Sequence, residues 1–139
     1  NKLENNDYIY VAGGNTFFLL QEMNSSGAGD LIKKQINAGK LFIGESAGAI
    51  LAAPNIEYAI DTDNPLAAPH LKTYDALDVI DFYPVPHYKD ESLMEAVEKV
   101  IAKYNTKLQL VPFSNSQAIL VRGKEKQIVS NTDDGEVAR

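Results

Sequence analysis

The sequence has no cysteine among its 139 residues. Disulfides, zinc–thiolate centres and cysteine nucleophiles are therefore excluded. Histidine is scarce, with only His70 and His87. Basic residues are outnumbered, 13 Lys and Arg against 19 Asp and Glu, for a net charge of −6. A duplex-binding protein carries a basic face, so no nucleic-acid partner is expected. No apolar run approaches the roughly 18 residues of a membrane span, and no signal peptide is visible. No membrane partner is expected, and a cytoplasmic location is the default. Metal-ligand spacing and a G-x-x-x-x-G-K phosphate loop are both missing, so neither metal nor cofactor is expected. The length and composition, 45% hydrophobic and 23% charged, suit a single globular domain over 1–139 with a real core.

One stretch organises what is there. Residues 41–43, Leu-Phe-Ile, form a short apolar run that reads as a buried strand. It leads into Gly44-Glu45-Ser46-Ala47-Gly48, a G-x-S-x-G pattern, and then into Ala49-Ile50-Leu51, which can start a helix. Strand, sharp turn and helix place a serine at an apex. Small residues must flank it, because strand and helix come close together there. Ser46 is thus a candidate nucleophile, and the amide of Ala47, at the start of the helix, can face a developing oxyanion. The plain alternative is an ordinary tight turn.

Along the chain, residues 1–7 read as a linker or the end of a helix. Tyr8 to Val11, extended by Ala12, is aromatic and β-branched, which predicts a strand. Gly13-Gly14-Asn15-Thr16 follows, and Asn15 or Thr16 can cap a helix over 17–24. Residues 25–29 read as a loop, and Asp30 as the cap of a helix over 31–38 closed by Gly39. Pro54 ends the elbow helix. Residues 55–73 are irregular, with 56–60 a possible strand and a turn-rich acidic loop at 61–65. A long irregular segment inside a compact domain is usually functional. Residues 79–85 read as a strand delivering His87 after Pro84 and Pro86. The spacing of Leu93, Met94, Val97, Val100 and Ile101 predicts an amphipathic helix over 91–104. A strand over 107–113 and a hairpin of 117–121 with 127–130 complete the reading, before a polar tail. Alternating strands and helices argue an α/β domain with an open, mostly parallel sheet and a C-terminal antiparallel hairpin. Sites in such sheets lie at the carboxyl ends of strands. Gly13-Gly14, Ser46 and His87 all fall there.

A serine needs a base at neutral pH. His87 is favoured, since its proline-flanked approach fixes its position; His70 is the rival. The base needs an orienting group on its other ring nitrogen. Asp90, Glu91 and the turn Ser114-Asn115-Ser116 lie downstream; Asp63, Asp75, Asp78 and Asp81 lie upstream. Spacing does not choose among them.

The block from Tyr10 to Leu20 around Gly13-Gly14-Asn15-Thr16, the elbow Gly44 to Ala49 and Pro86-His87-Tyr88 together resemble the peptidase E (aspartyl dipeptidase) and cyanophycinase family of serine peptidases. The resemblance covers nearly the whole chain. It implies a flavodoxin-like, class I glutamine amidotransferase-like three-layer sandwich. It also implies strands and helices before Asn1, so an N-terminal part of the sheet is expected to belong with this chain. Ser46 becomes the nucleophile and His87 its base, with the amides of Gly14 and Ala47 as oxyanion hole. Asp63 falls on an acidic loop position that arranges the site or meets the substrate amine. Asn15 and Glu45 are the other candidates for substrate contact; for Glu45 the plain alternative is a surface residue of the turn. The family's third triad member, a carboxylate, falls on Asn115. An amide can orient a histidine but cannot stabilise imidazolium as a charge does. The helix after His87 lacks the arginine with which aspartyl dipeptidases recognise an acidic side chain; Lys89 or Lys99 would have to serve. The expected function is therefore hydrolysis of short peptides. The alternatives are a non-catalytic binding or regulatory relative, and an esterase or amidase on the same scaffold.

Overall fold

Strand β1 (Tyr8–Val11) runs parallel to β2 (Leu41–Gly44), with Tyr8 opposite Leu41 and Val11 opposite Gly44. Parallel neighbours need a long crossover. Helices α2 (Thr16–Ser26) and α3 (Ala28–Asn37), packed on each other, provide it. A second parallel pair, β3 (Tyr83–Val85) with β4 (Leu110–Pro112), is crossed by α5 (Met94–Tyr104). Between the pairs lies the four-residue helix α4 (Ala47–Ile50), which packs on β2, β3 and α2. A short helix α1 (Lys2–Asn5) precedes β1 and packs on α3. An antiparallel set follows at the C-terminal side: β5 (Gln117–Arg122), β6 (Glu125–Asn131) and β7 (Val137–Ala138). This computed structural model describes residues 2–131 and the backbone of 137 and 138.

The core lies under α2, α4 and α5. Phe17, Leu51, Ile56 and Val100 are essentially inaccessible to solvent. On α5, Val97 and Val100 face inward, while Glu95, Glu98, Lys99 and Lys103 are exposed. Lys99 and Lys103 reach Asp61 at 3.6 and 3.7 Å, tying the helix to the irregular segment. Strand β1 buries Ile9 and Val11 on one face. Its other face shows Tyr8 and Tyr10, 55% and 52% exposed, beside Leu41 at 61% and Ile43 at 40%. Parallel sheets are normally covered on both faces. This apolar face is open among the described residues.

The α/β class, the parallel pairing and the C-terminal hairpin agree with the sequence reading. Several boundaries do not. No loop spans 25–29: α2 runs to Ser26 and α3 begins at Ala28, the break being Gly27 alone at φ 78°. A left-handed residue reverses the helix in one position, and glycine does so without Cβ strain. Asp30 is therefore inside the first turn of α3 and not its cap. Residues 56–60 are no strand; Glu57–Asp61 is a 3-10 turn, and Ile56 pairs its N–H with the Tyr74 carbonyl. Of 79–85 only Tyr83–Val85 is strand, because the N–H groups of Val79 and Ile80 turn to the Ala52 carbonyl instead. The helix after His87 starts at Met94, preceded by two turns, from His87 to Asp90 and from Asp90 to Leu93. The hairpin is longer than expected, with Arg122 opposite Glu125 across a two-residue turn. Most of the polar tail, 132–136 and 139, lies outside the described residues, as does Asn1.

Candidate active site

Strand β2 ends at Gly44 and α4 begins at Ala47. Ser46 between them has φ 55° and ψ −113°, a conformation uncommon for a residue with a side chain. Such strain persists only where surrounding contacts enforce it. Here the Glu45 N–H is bound by the Val11 carbonyl at 2.9 Å, and the Ser46 carbonyl accepts from Ala49 and Ile50. The glycines of the elbow are required by contact. A Cβ on Gly48 would run into the Val11 carbonyl, and one on Gly44 would sit 2.5 Å from the Gly48 carbonyl oxygen. The result is a serine held out at the carboxyl end of β2.

His87 follows β3 and also has positive φ, 65°. Its segment is fastened to the end of β4: Phe113 donates to the Val85 carbonyl and Tyr88 to the Phe113 carbonyl, both at 3.0 Å. The His87 Nε2 lies 2.8 Å from Ser46 Oγ. On the other side of the ring, Nδ1 is 2.9 Å from Asn115 Oδ1. Serine, histidine and asparagine, from three separate strand ends, thus form one chain of hydrogen bonds.

The chain continues to a fourth residue. Asn115 Nδ2 donates to Asp90 Oδ2 at 2.9 Å. Asp90 Oδ1 accepts from the Ser92 N–H at 3.0 Å and the Ser92 hydroxyl at 2.7 Å. The Asn115 amide first, then Ser92, hold the Asp90 carboxyl below its ordinary value of 3.8. Asp90 was one of several carboxylates within plausible sequence distance, and only the folded turn singles it out. Asp75 pairs instead with Asn55, and Asp78 and Asp81 are exposed. Glu91 is exposed as well, and His70 is exposed with its N–H on Gln21.

The glycine block meets the elbow directly: a Cβ on Gly13 would lie 3.2 Å from Ser46 Cβ. Among the described residues, the N–H groups of Gly14 and Ala47 have no hydrogen-bond acceptor. Asn15 caps α2, accepting from Phe17 and Phe18, and donates to the Asn64 carbonyl. Asp63 Oδ2 accepts from the Thr16 N–H at 2.9 Å and from its hydroxyl. Asn15 and Asp63 therefore strap the irregular segment to the glycine block. Asp63 also lines a pocket of about 100 Å³ beside Ser46 and His87, whose other walls include Ile50, Tyr58, Leu93 and Val97. Glu45 is exposed and does not line it. Neither do Lys89 and Lys99: Lys89 lies 5.6 Å from the Tyr88 ring centre and Lys99 pairs with Asp61. No cluster of three or more His, Cys, Asp or Glu able to hold a metal exists among the described residues. No helix among them is long and apolar enough to cross a membrane.

The fold is α/β, and it sets a serine at the strand–helix elbow after β2 within hydrogen-bond distance of a histidine that follows β3. The model of peptidase family S51 matches residues 1–129, and the chain belongs to that family. An uncharacterized peptidase of Listeria monocytogenes is 51% identical over 124 residues, covering 89% of this chain and 60% of the relative. One from Pasteurella multocida is 51% identical over 130 residues, covering 94% and 63%. Peptidase E of Shewanella amazonensis is 38% identical over 84 residues, covering 60% of this chain and 34% of that protein. The crystal structure of a candidate peptidase E protein from Listeria monocytogenes EGD-e superposes with a TM-score of 0.89 at 47% identity. It covers 94% of this chain and 63% of that one. The chain spans less than two thirds of the length of these relatives.

Proposed function

We propose that the protein is a serine peptidase of the peptidase E type that hydrolyses short peptides through an acyl-enzyme. The carrying observation is the 2.8 Å contact between Ser46 Oγ and His87 Nε2 at a strained elbow. In this reading His87 Nε2 takes the Ser46 proton as Oγ attacks the scissile carbonyl. The oxyanion of the tetrahedral intermediate is met by the free amides of Gly14 and Ala47. The proton then passes to the leaving amine, and water, deprotonated by the same ring, releases the acyl group. Asn115 acts on the far side of the ring by orienting it. Beyond Ser46, His87 and Tyr58, whose hydroxyl is bound to the Pro84 carbonyl, the pocket is walled by apolar side chains with Thr62 and Asp63 as polar members. That lining suits a small apolar side chain with a free amine near Asp63, and offers no cation to an acidic one. Asn15 serves by holding the pocket's strap, and Glu45 is left as a peripheral substrate contact.

The flavodoxin-like sandwich belongs to the same proposal. The open apolar face of Tyr8, Tyr10, Leu41 and Ile43 supports further polypeptide packing on β1 and β2, as the greater length of the relatives allows. A cytoplasmic location goes with this reading. A second reading, a binding or regulatory relative, is favoured by one observation: an uncharged amide occupies the position behind His87. The two are separated by a panel of dipeptides and tripeptides offered to the whole protein and to Ser46→Ala. Turnover that disappears in the variant supports the peptidase. Equal turnover by both would remove Ser46 from the mechanism, and none from either favours the binding protein; cleavage of esters or simple amides alone points to the esterase or amidase.

A further inference from the structure

We propose that Asp90 is a positioning residue for the serine–histidine pair, acting through the amide of Asn115; the proposal rests on the peptidase reading above. The argument is one of hydrogen-bond polarity. For Ser46 to give up its proton, His87 Nε2 must be the unprotonated nitrogen, so Nδ1 must carry the hydrogen. Nδ1–H then needs an acceptor, and at Asn115 that is Oδ1, 2.9 Å away. An asparagine alone does not guarantee this, because its amide can turn over and present NH₂ to the ring. That orientation would favour the opposite tautomer, with the hydrogen on Nε2 and the ring unable to accept from serine.

Asp90 removes the ambiguity. Its Oδ2 lies 2.9 Å from Asn115 Nδ2. A carboxylate accepts only, so it holds the NH₂ end toward itself and leaves Oδ1 for the ring. A turned amide would set oxygen against carboxylate. Asp90 is itself fixed, since Ser92 gives its Oδ1 both an N–H and a hydroxyl. The four groups therefore read in one direction: Ser46 O–H to His87, His87 N–H to Asn115, Asn115 N–H to Asp90. The negative charge that a Ser-His-Asp arrangement puts on the ring is here one residue further out. Outer partners that orient a functional group are typically worth 10–100-fold in activity where they have been removed, for metal-bound histidines at least.

The test needs no knowledge of the substrate. The whole protein and its Asp90→Asn, Ser92→Ala, Asn115→Asp and Asp90→Asn/Asn115→Asp variants are reacted with a fluorophosphonate, and the rate of Ser46 labelling is followed. The nitrogen-15 resonances of His87 are recorded in parallel to read its tautomer. Asp90→Asn should slow labelling by about 10–100-fold and reduce the share of the Nδ1–H tautomer, with Ser92→Ala moving both in the same direction by less. Asn115→Asp alone sets two carboxylates against each other and should also lose rate. The double variant places a carboxylate directly on the ring with an amide behind it, and should recover most of the rate. Unchanged labelling and an unchanged tautomer in folded Asp90→Asn and Ser92→Ala would overturn the proposal, as would a double variant no better than Asn115→Asp. If the unmodified protein is not labelled at all, the peptidase reading fails. The tautomer comparison then still decides the role of Asp90.

Discussion

Replacing Ser46 separates the strain of the elbow from the chemistry of its hydroxyl. Ser46→Ala and Ser46→Gly both remove Oγ, and with it the hydrogen bond to His87. They differ in backbone freedom. Alanine stays in the φ 55°, ψ −113° conformation at the same steric cost as serine, a cost on the order of 1–3 kcal/mol for a residue with a Cβ. Glycine escapes that cost but gives back roughly 0.5–1 kcal/mol of chain entropy in the unfolded state. The difference leaves Ser46→Gly more stable than Ser46→Ala by about 1 kcal/mol, the reverse of the usual ranking in regular structure. Urea unfolding with parallel slopes should place the glycine midpoint higher by about 0.3–1 M, for slopes of roughly 1–3 kcal/mol/M. Neither variant should react with a fluorophosphonate. An alanine variant as stable as the glycine variant, or more so, would show that the elbow stores no strain.

Four further outcomes follow from the same contacts. Gly48→Ala forces a methyl onto the Val11 carbonyl and should cost about 1–3 kcal/mol or more in urea unfolding, with Ser46 labelling slowed in the fraction that folds. Asp63→Ala leaves the fully buried Thr16 without its carboxylate; a loss of about 1–3 kcal/mol is expected, together with faster proteolysis of the 55–73 segment. Tyr58 donates to the Pro84 carbonyl at 2.6 Å, and burial, with a smaller contribution from Tyr83, holds its phenol well above its ordinary 10. Its stabilising share is present below pH 10 and fades as pH rises from there toward the raised value, so Tyr58→Phe should flatten alkaline unfolding while weakening the protein at neutral pH. The Asp90 carboxyl titrates below 3.8 in the fold. Its contribution is complete above that value and is lost as pH falls through the lowered one, so Asp90→Asn should remove part of the acid limb of an unfolding titration.

What could be read from the residues divides along a physical line. The elbow, the glycine block and His87 were legible because each depends on local sterics: small residues flank a sharp turn, and prolines fix a strand end. Asn115 stood in a candidate turn but was selected only through resemblance, since nothing local marks one amide in a polar turn. Asp90 could be named among six carboxylates but not chosen. Its selection needs the turn after β3 to meet the turn after β4, a long-range event fixed by Phe113 and Tyr88 pairing across strands. Boundaries failed where tertiary contacts overrode pattern. Residues 79–82 carry β-branched and aromatic side chains, yet their amides are partly drawn to Ala52. Residues 56–60 have strand-like composition at Ile56 and Ile60, yet coil, with the Ile56 carbonyl accepting from the Ala59 N–H and the Ala59 carbonyl from those of Thr62 and Asp63. The tight join of α2 and α3 at Gly27 looked like a loop because Ser, Gly and Ala also compose loops.

The account stands or falls on whether Ser46 is a nucleophile activated by His87. Mass spectrometry of the whole protein after fluorophosphonate treatment, with peptide mapping and a His87→Ala control, measures this directly. One adduct per chain on Ser46, formed at least about 100-fold more slowly without the imidazole, is the expected result. An adduct elsewhere, or one on Ser46 that forms equally fast in His87→Ala, would contradict it.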